Sequence, residues 1–172
     1  MKVFGIAGWK NSGKTGLTER LVTEITARGY TVSTVKHAHH TVDIDQPGRD
    51  SYRHRRAGAR EVLLVSSRRW ALMHELRDAP EPDLADLLAR LSPVDLVLIE
   101  GYKHGPHPKI EAHRAETGKP LMAPEDPAIR AIASDIDLPD APVPVLALDD
   151  TATIADFVLR AVGLEPAPAS AT

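Results

Sequence analysis

The stretch Gly8-Trp9-Lys10-Asn11-Ser12-Gly13-Lys14-Thr15 constrains this chain more than any other. It fits G-x-x-x-x-G-K-[ST], the pattern of a phosphate-binding P-loop. That pattern carries physical content only between a buried strand and a helix, and both flanks supply it. Lys2-Val3-Phe4-Gly5-Ile6-Ala7 is short and mostly apolar, as a buried parallel strand is. Thr15 to Arg28 carries Leu17, Leu21 and Ile25 on one face of a helix.

The ligand of such a loop is a dense anion. Inward-turned backbone N–H groups and the positive end of the following helix stabilise it. Gly8 and Gly13 let the backbone turn tightly and approach the phosphates. Lys14 can reach the β- and γ-phosphates, and the Thr15 hydroxyl can ligate Mg²⁺.

With 172 residues and 42% apolar content, the default is one α/β domain with a real core, predicted over 1–163 with a flexible tail at 164–172. A net charge of −3 gives no global basic field, so no nucleic-acid partner is expected. The chain has no cysteine, which excludes disulfides and thiolate metal sites and fits a reducing cytosol. No apolar run approaches the ~18–20 residues of a membrane span, and no signal-peptide pattern precedes the first strand. The expectation is a cytoplasmic protein with no membrane partner.

Beyond the first helix, Gly29 is a stop, and Thr31 to Lys36 reads as a strand. Asp50 or Ser51 could cap a short helix running through Arg56. Glu61 to Ser66 and Arg69 to His74 read as an antiparallel pair around Ser67-Arg68. Pro82 to Leu91 carries an apolar helical stripe of Leu84, Leu87, Leu88 and Leu91. Val94 to Gly101, Lys109 to Arg114, Ala128 to Ala133 and Val145 to Leu148 read as strands. Asp149-Asp150-Thr151 opens a last helix, ended by Gly163.

Glu100 is the second chemical anchor. An apolar strand ending in an acid is the Walker B pattern, whose carboxylate serves Mg²⁺ or the attacking water. His37, His39 and His40 admit a metal or a plain polar loop, and Asp43 and Asp45 could instead meet Mg²⁺. His104 and His107 follow Glu100 and could join the site or lie on a surface loop. Arg49, Arg53, Arg55, Arg56 and Arg60 suit either a second phosphorylated partner or a solvated helix face. Asp135 could accept from guanine or fill an ordinary turn role.

Several of these pieces coincide with one family. The P-loop, Lys36-His37-Ala38-His39-His40, Asp45-Gln46-Pro47-Gly48-Arg49-Asp50-Ser51, Ala57-Gly58-Ala59, Arg69-Trp70-Ala71-Leu72 and Leu98-Ile99-Glu100-Gly101-Tyr102-Lys103 resemble the MobB family of molybdopterin-guanine dinucleotide biosynthesis adapter proteins. The motifs run in family order over about residues 1 to 160. The resemblance implies an α/β fold, the P-loop NTPase three-layer sandwich, with a mostly parallel sheet and antiparallel additions. It implies a GTP-binding homodimer with weak Mg²⁺-dependent GTPase activity. Its partner would be a MobA-type guanylyltransferase, with molybdopterin as a further candidate ligand. Carried over by position, Asn11, Ser12, Gly13, Lys14 and Thr15 would hold the phosphates. Thr15 and Glu100 would serve Mg²⁺, with Lys14 and Glu100 as the catalytic pair. His37, His39, His40 and Asp50 would line the face toward pterin or partner.

Two other functions fit the residues alone. A small-molecule or nucleoside kinase would use the arginine cluster as an acceptor site. A metal-delivery GTPase would use the His37 to His40 loop.

Overall fold

Each crossover of the main sheet returns a buried strand to the same direction, so its strand ends gather on one edge. The computed structural model describes residues 1–38, 45–103 and 105–165. It contains β1 (Lys2–Ala7), α1 (Lys14–Ala27), β2 (Val32–Lys36), α2 (Asp50–Arg56), β3 (Glu61–Val65), β4 (Trp70–His74), α3 (Leu84–Leu88), β5 (Leu96–Glu100), β6 (Lys109–His113), β7 (Ile129–Ser134), β8 (Val145–Ala147) and α4 (Thr151–Ala161). These fall into two compact units, Met1–His37 with Pro93–Thr172, and Ala38–Ser92.

The first unit holds a six-stranded sheet in the order β2-β5-β1-β6-β7-β8. Every pairing in it is parallel. The chain leaves β1 toward β2 on one side and later builds β6, β7 and β8 on the other. The loop after β1 therefore sits where the strand order reverses, the place at which open α/β sheets bind ligands. Ile6 and Lys36 both register with Glu100, so β1, β2 and β5 end side by side.

The core explains the strand assignments. Phe4, Ile6, Leu96, Leu98 and Ile110 are fully buried with Leu17, Leu21 and Ile25 of α1 and Ile154, Val158 and Leu159 of α4. A Leu or Ile side chain removed from water contributes roughly 1.5–3 kcal/mol, so this face is a main source of stability. A second cluster, Ala123, Ile129 and Ile132, packs beneath Leu121, Met122, Leu138, Ala141 and Val143, which lie in loops. Asp150 caps α4 by accepting from the Thr153 N–H at 3.0 Å. Gly29, at φ 90°, closes α1 as predicted.

In the second unit β3 and β4 pair antiparallel around the predicted turn and form a sheet of their own. Asp50 is the first residue of α2, and Arg49 holds the capping position without a side-chain bond, so neither Asp50 nor Ser51 caps it. The Ser51 hydroxyl instead donates to Asp45 at 2.9 Å. Arg55 bonds Asp45 at 3.2 Å and Glu75 at 2.7 Å, tying the last turn of α2 to the segment before the helix and to the chain just after β4. Asp45 is thus engaged by a guanidinium rather than free for Mg²⁺, and Arg55 is a structural clasp. The leucine-rich helix is shorter than its stripe suggested: α3 spans Leu84–Leu88, and none of its residues is fully buried.

Candidate functional site

The loop after β1 is wound tightly enough to exclude side chains at its glycines. Gly8 has φ 145°, and a Cβ there would lie 2.4 Å from Ser12 Oγ and 2.5 Å from the Ala112 carbonyl oxygen. Gly13 has φ 90° and caps α1 in the left-handed conformation. Asn11 holds φ 67° without being glycine, a conformation its short polar side chain tolerates. The result is a hollow of about 370 Å³ lined by Asn11, Gly13, Lys14, Thr15 and Gly16. The first turn of α1 opens there, and its N–H groups have no intrahelical acceptor. The Ser12 hydroxyl is buried in the loop with no hydrogen-bond partner among the described residues.

Charge converges on this hollow. Lys14 Nζ donates to the Trp9 carbonyl at 2.5 Å, folded back on its own loop. The Thr15 hydroxyl donates to Glu100 Oε1 at 2.9 Å. Lys36, the last residue of β2, places Nζ 3.3 Å from the same oxygen. Burial lowers the Lys14 pKa from its usual value; Glu100 opposes that, while Lys103 and Lys36 add to it. A half-buried ammonium among other cations gains much from an arriving anion. The donor set also fits Mg²⁺, a hard cation that takes hydroxyl and carboxylate oxygens, because Thr15 and Glu100 already meet. When bound, such an ion would neutralise phosphate charge. Thr15 and Glu100 would hold it, directly or through water.

The segment after β5 is fitted against the loop. Gly101 has φ 102°, and a Cβ there would come within 2.9 Å of His37 Cβ. The Tyr102 and His37 rings stack with centroids 4.5 Å apart. Lys103 Nζ lies 4.4 Å from the centroid of the Trp9 ring. The Trp9 indole N–H donates to the Pro120 carbonyl at 2.7 Å. Lys109, fully buried at the start of β6, donates to the Lys103 carbonyl at 2.9 Å, the Gly105 carbonyl at 2.6 Å and Asp126 Oδ2 at 2.9 Å. Glu111, also fully buried, accepts from the Met122 and Ala123 N–H groups, and burial raises its pKa. These internal charges fix the loops that carry Lys103 and Pro120.

His107 is neither a site residue nor a solvated loop residue. Its ring nitrogens are buried without hydrogen-bond partners among the described residues. Gly5 and Gly105 give it room: a Cβ at either would come within 2.8 Å of the ring. Burial lowers its pKa, and nearby Lys109 adds to the effect.

The structure thus brings together Lys14, Thr15 and Glu100 of the expected site, with His37 on the neighbouring strand end. Asp50 belongs to the second unit, where it is exposed and pairs with Arg53 at 3.7 Å. His39, His40, Asp43 and His104 lie outside the described residues. Asp135 follows β7 and accepts from the Ala115 N–H at 2.9 Å, a bond that ties the loop after β7 to the segment after β6 and occupies that oxygen. Sequence reasoning missed Lys36, Lys103 and Lys109 as contributors. The signal for Lys36 was its place at a strand end, as for Glu100. A buried lysine such as Lys109 leaves no mark in periodicity.

Residues 3–135 match the family model "Molybdopterin guanine dinucleotide synthesis protein B". The chain is 40% identical over 161 residues to a molybdopterin-guanine dinucleotide biosynthesis adapter protein of Escherichia coli K12, covering 92% of this chain and 91% of that one. It is 41% identical over 160 residues to the protein of the same description from Haemophilus influenzae Rd, covering 91% and 86%. The crystal structure of a MobB protein homolog from Bacillus stearothermophilus superposes with a TM-score of 0.68 at 29% identity, covering 95% of this chain and 99% of that one. Fold, P-loop and sequence agree, and the chain belongs to the MobB family.

Proposed function

We propose that this chain is a GTP-binding adapter that assists a guanylyltransferase in making molybdopterin guanine dinucleotide. The observation that carries the nucleotide half is the meeting of Thr15 and Glu100 at 2.9 Å beside the Lys14 loop. The family and the described relatives support the adapter half. Mg²⁺ is the expected companion of the nucleotide, and weak GTPase activity is the expectation that the family resemblance carries.

Direction along the sheet suggests where the nucleoside lies. Glu100 on β5 marks the γ-phosphate side of the loop. The nucleoside then extends over β6 and β7, where Arg114 approaches Gly13 and Asp135 follows β7. Asp135 is the candidate acceptor for guanine.

A homodimer is the expected assembly, built on the hairpin face described below. Among the described residues nothing favours the kinase or metal-delivery reading: Arg55 of the arginine cluster is bound within its own unit, while His39 and His40 lie outside those residues.

The test is co-purification of wild-type and Lys14→Ala chains with a molybdenum-cofactor guanylyltransferase, with GTP and without nucleotide. Wild-type association that Lys14→Ala weakens supports the reading. Absence of association in every nucleotide condition overturns the adapter assignment.

A further inference from the structure

Three lysines contact the phosphate loop or the carboxylate beside it, and each is bound to the protein itself. Lys14 is on the Trp9 carbonyl, Lys36 on Glu100 Oε1, and Lys103 over the Trp9 ring. Only Lys14 belongs to the loop motif. The other two arrive from separate strand ends, β2 and β5. Neither is tied down by its contact. The Lys36 side chain is 60% exposed, and an ammonium prefers a phosphate oxygen to the face of an indole.

Charge gives the arrangement a purpose. Three ammonium groups against the Glu100 carboxylate leave two net positive charges. A divalent cation, and the Arg114 guanidinium beside Gly13, add to that positive charge, which suits the more highly charged triphosphate. A diphosphate lacks the terminal phosphate that Lys36 and Lys103 would meet. Thr15 and Lys36 also address the same carboxylate oxygen, so departure of Lys36 clears Oε1 on one side.

We propose that Lys36 and Lys103 are further ligands of the terminal phosphate, stored on Glu100 and Trp9 when nucleotide is absent, so that the site selects a triphosphate over a diphosphate. This rests on the nucleotide reading above. Lys109 is the positioning residue for Lys103, because it clamps the Lys103 carbonyl at 2.9 Å.

Calorimetric titration with GTP and with GDP, both with Mg²⁺, tests it on wild-type, Lys36→Met, Lys36→Arg and Lys103→Met chains. Each methionine variant should weaken GTP about tenfold or more, as loss of a charge-assisted bond does, and GDP far less. Lys36→Arg should recover most of the GTP affinity. Lys36→Gln, which can still hydrogen-bond Glu100, takes the place of Lys36→Met if that chain does not fold. Unchanged affinities, or equal weakening of GTP and GDP, overturn the inference and leave the nucleotide reading standing. Wild-type chain that binds neither nucleotide overturns both.

Discussion

Lys109 shows how a single residue can hold a site it never touches. An ammonium has three N–H donors, and here each has an acceptor. Burial of a charge is tolerated only on such terms, since an unpaired buried charge is strongly unfavourable. Removing one partner of a buried pair typically destabilises by about 3–5 kcal/mol, because the other partner stays behind. Lys109→Met keeps the chain length and strands two carbonyls and Asp126. Its urea midpoint should fall by the equivalent of about 3 kcal/mol with an unchanged m-value. Asp126→Asn keeps an acceptor for Nζ and should lose less. Equal midpoints for Lys109→Met and wild type would show that the clamp is ornamental.

At the scale of elements, the β3–β4 hairpin has two unlike faces. On one face Val62 and Met73 are buried at the base of the hairpin, while Leu64, nearer the turn on that face, is exposed. On the other face the register pairs Leu63 with Leu72 and Val65 with Trp70. Those four are 46–67% exposed, so apolar pairs lie open to water. An isolated two-stranded sheet is marginal in water, and an apolar face of this kind marks an interaction surface. The homodimer proposed above would use it, since two such faces are complementary in being apolar. Burying a large apolar side chain contributes roughly 1.5–3 kcal/mol. Trp70→Glu with Leu72→Glu should therefore raise the dimer dissociation constant by about two orders of magnitude or more. Light scattering after size exclusion reads it directly. Wild-type chain that stays monomeric at high micromolar concentration removes the hairpin from the interface.

The hairpin also shows what the sequence could reveal. Its strands and turn were legible because β-branched and aromatic residues bracket Ser67-Arg68. Of the parallel strands, β1 and β5 were legible as apolar runs, β2 by its β-branched residues and β6 by alternation, and α1 and α4 through their periodic leucines, isoleucines and valines. The helix over Pro82 to Leu91 was overread: its leucines are only half-buried and its regular part shortens to α3. At the site, Lys14, Thr15 and Glu100 were legible because motif and strand end fix them. Lys36 carried the same strand-end signal but was given no role, and Lys103 and Lys109 left none, because they act through contacts between segments far apart in the chain, which periodicity does not encode. That β3 and β4 form a separate sheet was likewise a matter of tertiary arrangement.

For the molecule as a whole, two titratable groups, the half-buried His107 and the fully buried Glu111, act on stability with opposite signs. His107 has a pKa below its usual 6.5, chiefly through burial. Between its folded pKa and 6.5 the unfolded chain binds more protons, so stability falls as pH drops through that window. Glu111 has a pKa above its usual 4.5, again chiefly through burial. Between 4.5 and its folded pKa the folded chain binds more protons, so stability rises as pH drops through that window. The exposed Asp95, held below its usual pKa by bonds from Thr31, adds a loss of stability only at more acid pH. Wild-type chain should therefore lose stability from neutral pH downward less steeply than His107 alone dictates. His107→Gln should flatten the decline, and Glu111→Gln should steepen it, whatever either does to stability at pH 7. Urea midpoints of the three chains at closely spaced pH values between 7 and 4.5 measure these slopes. A steeper slope for His107→Gln, or a flatter one for Glu111→Gln, would mean that these two groups are not the ones that set the molecule's response to acid.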